Sequence, residues 1–248
     1  ATVTVNDTID PTTVTLNDVS VDEGTGTATI GASLDYAPTD GPLVLTLSNG
    51  ATVTFNVGYV AGSVVQSTPF SIQADDVYID PESYSVSIAN YTGGAEFENL
   101  VTTDTATVTV NDTIDPTTVN LSGSTQVEGP TSSYVFTATL SHASQGNTTI
   151  VTDRGTITIT NGNTVGTLTI AAGNAEDVYV DGSSLVATIT STSGGNFEQL
   201  VVGTGTATAV VNDTIDPTTI TLDGTTNNVT GQITLTAQVD HAPLTTDL

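Results

Sequence analysis

The sequence predicts an all-β chain of tandem β-sandwich domains, and three observations predict it. Apolar and hydroxyl residues alternate with period two in runs such as Ala51–Val57, Ser83–Ile88, Ala106–Val110 and Thr156–Thr160, the pattern of strands with one buried face. The segment Asn-Asp-Thr-Ile-Asp-Pro-Thr-Thr occurs three times, from Asn6, Asn111 and Asn212, at spacings of 105 and 101 residues. Those spacings are the size of one sandwich domain. No segment sustains a helical period, and threonine and valine, both suited to strands, are the commonest residues.

The repeat divides the 248 residues. Residues 1–10 read as the last strand and connector of a preceding repeat. Residues 11–115 and 116–216 read as two complete repeats, and 217–248 as the first strands of a following truncated one. The whole looks like an excerpt from a longer array. Within the first repeat the alternation gives seven strands, A to G, at about 12–21, 26–35, 43–48, 51–57, 63–72, 83–90 and 104–111. Turn chemistry falls between them at Asn49-Gly50, Pro42, Pro81 and Gly93-Gly94. Seven short antiparallel strands per hundred residues fit an immunoglobulin-like sandwich, without that fold's Cys–Trp–Cys core. The domains are expected to lie end to end. With 7 tyrosines and 5 phenylalanines, their cores must be filled mainly by Val, Ile, Leu and Ala.

Composition narrows the function. Acidic residues number 27 against a single basic one, Arg154, for a formal charge of −26. Such a polyanion repels nucleic-acid phosphates and anionic lipid, so neither nucleic acid nor direct membrane contact is expected. Without cysteine there is no disulfide, zinc–thiolate site or thiol nucleophile. Apolar content of 37% and a mean hydropathy of +0.10 argue against disorder. No Ser/His/Asp set recurs in both repeats, and no enzyme is expected. His142 and His241 follow strand B, where the first repeat has Tyr36, and read as rim residues.

Strand parity gathers the acids. If each strand reverses direction, the A–B, C–D and E–F turns lie at the pole where strand G ends. In the first repeat that pole receives Glu23 with Asp22, then Asp76 and Asp80 with Asp75, then Asp112 and Asp115. In the second it receives Glu128, Glu176, Asp177, Asp181, Asp213 and Asp216. Clustered carboxylates without lysine or arginine repel one another unless a cation is supplied. Six or so oxygen donors in flexible geometry suit Ca2+ better than Mg2+. Pro11, Pro116 and Pro217 stiffen the connectors. At the opposite pole, the F–G loop with Glu96 and Glu98, and its counterpart with Glu198, is placed to complete a shell around Asp7 and Asp10 of the preceding connector.

The connector Asp-Thr-Ile-Asp-Pro-Thr-Thr, the Asp-Val-Tyr-(Ile/Val)-Asp turn and the loops Gly93-Gly-Ala-Glu-Phe-Glu98 and Gly194-Gly-Asn-Phe-Glu198 resemble the extender repeats of giant RTX adhesins. These are type-I-secreted biofilm and attachment proteins of Gram-negative bacteria. The Val-Asp-Glu-Gly and Val-Glu-Gly turns also resemble Calx-β-type calcium-binding sandwiches. The resemblance implies an extracellular spacer at the bacterial surface, stiffened by Ca2+, whose partners are neighbouring repeats and whose distal ligand is unknown. It assigns metal binding to Glu23, Asp76, Asp80, Asp112 and Asp115 and to their second-repeat counterparts. The truncated repeat departs from it, with Asn228-Val229-Thr230 where the glutamate is expected. A rival reading is a glycan- or protein-binding module; its candidate aromatics, Tyr36, Tyr59 and Tyr91, do not recur in the second repeat.

Overall fold

The computed structural model describes residues 1–243, which contain strands and no helix. They fall into two compact units, Ala1–Pro116 and a second beginning at Thr117. The first unit runs through β1 (Pro11–Leu16), β2 (Val19–Asp22), β3 (Thr27–Ala28), β4 (Gly31–Leu34), β5 (Leu43–Leu47) and β6 (Thr52–Phe55). It continues through β7 (Val65–Gln66), β8 (Phe70–Ser71), β9 (Glu82–Thr92), β10 (Asn99–Val101) and β11 (Thr105–Asn111). One sheet has the order β10-β1-β4-β7, the other β2-β11-β9-β5-β6, and β3 pairs with β8 beside them. This is an immunoglobulin-like sandwich.

Its core follows from the alternation. In β5 residues Leu43, Leu45 and Leu47 are buried while Val44 and Thr46 are half-exposed, and β11 buries Ala106, Val108 and Val110. These side chains form one core with Val53 and Phe55 of the neighbouring β6 and with Val14, Ile30 and Leu34 from the side of the other sheet. Each Leu, Ile, Val or Phe so buried contributes roughly 1.5–3 kcal/mol.

The second unit repeats the plan with β12 (Pro116–Gly123), β13 (Thr125–Val127), β14 (Ser133–Leu140), β15 (Thr148–Thr152) and β16 (Gly155–Ile159). Then come β17 (Val165–Ala171), β18 (Ser183–Gly194), β19 (Gln199–Val202) and β20 (Thr206–Asn212). Its sheets are ordered β17-β14-β12-β19 and β13-β20-β18-β15-β16. Val119, Phe136, Ile150, Ile157, Ile159, Ala209 and Val211 are fully buried between them. A hairpin of β21 (Ile220–Asn227) and β22 (Gln232–Val239) follows. Residues 1–10 have the sequence of β11 and its connector, but they are exposed and form no strand.

The structure differs from the expected strands in four places: strand B is divided into β3 and β4, which pair with different strands, and three further differences each have a local cause. Strand A is not continuous but changes sheets. Asn17 N donates to Gly31 O at 2.8 Å and Asp18 Oδ1 accepts Thr107 N at 2.7 Å, so neighbouring residues bond to opposite sheets. β2 then pairs in parallel with β11, Val19 opposite Val108 through Asp22 opposite Asn111. Strand E is broken into β7 and β8 at Pro69, which lacks a backbone N–H; the second repeat has no proline there, and β17 is continuous. Finally, β10 and β19 lie in what the sequence offered as the F–G loop. β10 pairs in parallel with β1, Pro11 opposite Asn99.

Candidate metal centres

The parallel ladder between first and last strands builds each acidic pole. Glu23 N donates to Asn111 O at 3.0 Å, extending the β2·β11 pairing by one residue and turning the Glu23 side chain inward, where only 4% of the residue is exposed. Thr113 N donates to Glu23 Oε1 at 3.0 Å, and Thr113 Oγ1 donates to Asp75 Oδ1 at 2.6 Å. Glu23 and Asp112 each bring an oxygen within 4.8 Å of the other. Asp112 Oδ1 accepts Asp80 N at 3.4 Å, and Asp80 Oδ1 accepts Gln73 Nε2 at 2.5 Å. Gly24 makes the approach possible: at φ +74°, a Cβ there would stand 2.8 Å from the Asp75 Cβ.

The second unit has the same construction. Glu128 N donates to Asn212 O at 2.9 Å and the residue is 4% exposed. Its Oε1 accepts Thr214 N and Thr214 Oγ1, both at 2.9 Å. The same hydroxyl lies 2.6 Å from Glu176 Oε1 and 3.2 Å from Asp216 Oδ2. Asp213 Oδ1 accepts Asp181 N at 3.3 Å. Among the described residues, Glu128, Glu176 and Asp216 bring one oxygen each within 4.8 Å, and so do Glu128, Asp181 and Asp213.

A hydroxyl has one proton, so Thr214 satisfies one of the three carboxylate oxygens around it. Glu128 Oε2 is buried with no hydrogen-bond partner, a costly state for an anion. The backbone N–H of Thr214, then its hydroxyl, hold the Glu128 carboxyl below its ordinary pKa. Asp181 moves the other way. Asn174 pulls it down, but burial and the neighbouring Glu128 and Asp177 together outweigh that and raise it. Glu128 and Asp181 bring carboxylate oxygens within 4.8 Å of each other, a repulsion that a cation between them would relieve. The orphaned oxygen and the all-oxygen donor set fit a hard divalent ion such as Ca2+.

Not every sequence candidate joins these groups. Asp76 and Asp177 turn back to accept Tyr78 N and Tyr179 N, each at 2.7 Å, which closes the turn between strands E and F. Asp115 is half-buried in the connector before Pro116, and Asp7 is exposed. Asp10 N donates to Glu98 Oε2 at 2.7 Å, so the F–G loop does reach that connector, while Glu96 Oε1 accepts Thr39 N at 3.3 Å. Sequence reasoning did not assign a part to Thr113 and Thr214. Their recurrence in the Asn-Asp-Thr motif was the available signal, but it reads as ordinary strand-end threonine. Of the three candidate glycan-binding aromatics, Tyr36 and Tyr91 are exposed. Tyr59 packs edge-on against Phe55 at 5.0 Å and accepts Leu34 N. Arg154 pairs with Asp153 at 3.7 Å and donates to Val186 O, away from both poles.

Tandem immunoglobulin-like sandwiches, each carrying a buried glutamate under an acidic pole, define the class. The LapA domain matches residues 10–113 and again 115–214, and the chain belongs to that family. Among curated proteins none matches. A crystal structure of the I9–I11 tandem from titin is 12% identical over 84% of this chain and 67% of that one, with a TM-score of 0.20. That similarity carries no further argument.

Proposed function

We propose that this chain is a spacer segment of a large bacterial adhesin of the RTX extender type. On this reading it is exported by type I secretion and held outside the cell. Calcium bound by the carboxylates at each pole stiffens the joint between consecutive repeats and helps project a distal adhesive region in attachment and biofilm formation. Membership of the LapA domain family supports the adhesin-related part. The observation that carries the calcium part is Glu128: a buried carboxylate, one oxygen without a partner, among four further acids and one hydroxyl proton. With no lysine in the chain, the missing positive charge has to come from solution.

Extracellular calcium modules commonly bind at about 10⁻⁴–10⁻³ M, so the sites would stay apo in a low-calcium cytoplasm and fill outside. Binding to the folded state alone then favours folding after export. The test is calorimetric melting with small-angle scattering, in millimolar calcium and in EDTA. Calcium is expected to raise the melting temperature by several degrees and to narrow the spread of inter-repeat arrangements. Identical melting and scattering in the two buffers would remove the mechanism.

A further inference from the structure

The longest run of the chain without a charged residue is 41–74, 34 residues in a sequence that carries 27 acids. In the first unit this run contains β6, the outer strand of one sheet, and β7, the outer strand of the other, joined by residues 56–64. That loop leaves Val57, Val60 and Val64 exposed, Val60 at 72%. The corresponding loop of the second unit, residues 160–164, has five residues against nine and consists of Thr, Asn and Gly alone. The longer loop is firmly held. The Tyr59 ring packs on Phe55 at 5.0 Å, and its hydroxyl accepts Leu34 N at 3.0 Å and donates to Ser63 O. Gly62 N donates to Leu34 O at 2.9 Å, and Ser63 Oγ donates to Val60 O at 2.7 Å. An apolar loop fixed in this way has little conformational freedom left to lose on contact.

We propose that this neutral side of the first unit docks a second copy of the chain, the 56–64 loop of each copy packing on that of the other. Charge selects the occupant. A basic partner is drawn to the acidic poles, not to a side that carries no charge. Two copies repel wherever acids face acids, and a contact through residues 41–74 leaves the carboxylates of both in solvent. Packing loop on loop about a two-fold axis makes the contact self-complementary. It also takes from water the three valines that the fold itself leaves uncovered. The second unit lacks the long loop, so the first unit alone carries the contact. No carboxylate takes part, which makes the contact independent of the calcium reading.

Sedimentation velocity of the full chain in EDTA, over a range of protein and salt concentrations, tests this. The parent chain is expected to dimerise, and more readily as salt rises, because about 1 M salt shortens the screening length to about 3 Å. Val60→Asp sets like charges face to face and is expected to weaken dimerisation at least about tenfold. Thermal melting verifies that the variant keeps its fold; Val57→Asp, also at an exposed position, gives the same reading if Val60→Asp does not. Leu235→Asp, on the exposed hairpin of β21 and β22, is expected to dimerise as the parent does. A parent chain that stays monomeric at every concentration and salt overturns the inference and leaves the loop to a different partner. Dimers that survive Val60→Asp and Val57→Asp, or that are lost in Leu235→Asp alone, overturn it too. Dimers that form only when calcium replaces EDTA belong to the carboxylates and overturn it as well.

Discussion

Thr214 holds one proton among three carboxylate oxygens, and this shortage sets what single substitutions should do. Thr214→Val keeps the shape and removes the hydroxyl. In EDTA it should cost about 1.5–3 kcal/mol, the value of a hydrogen bond to a charged group. In saturating calcium it should cost much less, because the cation then satisfies the same oxygens. Denaturant titrations in both buffers check this; equal losses would mean that no cation takes the hydroxyl's place. Away from the poles, Asp240 shows the commoner use of an acid in this chain. Its Oδ1 accepts Thr219 N at 3.0 Å with His241 Nδ1 at 3.0 Å, and Asp35 holds Thr13 N in the same way at 3.1 Å. The Thr219 N–H first, and His241 second, lower the Asp240 pKa. A lowered folded pKa means that this bond stabilises the hairpin above about pH 3.9, the ordinary aspartate value, and is lost as pH falls through the lowered one. Amide titration of Thr219 by NMR should therefore give a midpoint below 3.9; a midpoint at or above it would contradict the assignment.

Elements in this fold depend on a few positions that accept no side chain. Gly93 has φ +84° and a Cβ there would lie 2.2 Å from Pro42 O; Gly194 has the same φ and would meet Asn147 O at 2.3 Å. These glycines let the end of β9, and of β18, pass beside the residue before β5 or β15. Gly93→Ala should destabilise the first unit by about 2 kcal/mol or more from backbone strain alone. Calorimetry should find its transition lowered by roughly 10 °C, while Gly26→Ala, where nothing lies within 4 Å, bears only the conformational part. Alternation made the strands facing the core readable, because burial on one face leaves a period-two trace in Leu43–Leu47 and Ala106–Val110. The sheet change at Asn17–Asp18 and the parallel pairings of β2 and β10 left no such trace. They join residues some 90 positions apart, and nothing local distinguishes them from a plain strand or loop. The same limit applied to the poles. Parity could bring Glu128, Asp181 and Asp213 to one end, but only the fold shows that Asp177 spends its carboxylate on its own turn while Glu176 faces Thr214.

The molecule as a whole pairs a nearly uncompensated charge of −26 with cores made of modest aliphatic side chains. Self-repulsion of that size disfavours compact states and weakens with salt. In each unit the second strand and the last are neighbours that run the same way, β2 beside β11 and β13 beside β20, so the first strand, β1 or β12, lies outside this pairing. Tension that reaches this pairing from the two ends of a unit drags these strands past each other lengthwise. Their hydrogen bonds must rupture together, since no single bond can peel away before the rest. The first unit sets four residue pairs against that shear, Val19–Asp22 on Val108–Asn111, and the second only three, Thr125–Val127 on Val210–Asn212. Single-molecule pulling should accordingly give two rupture events of unequal force, with the second unit giving way first.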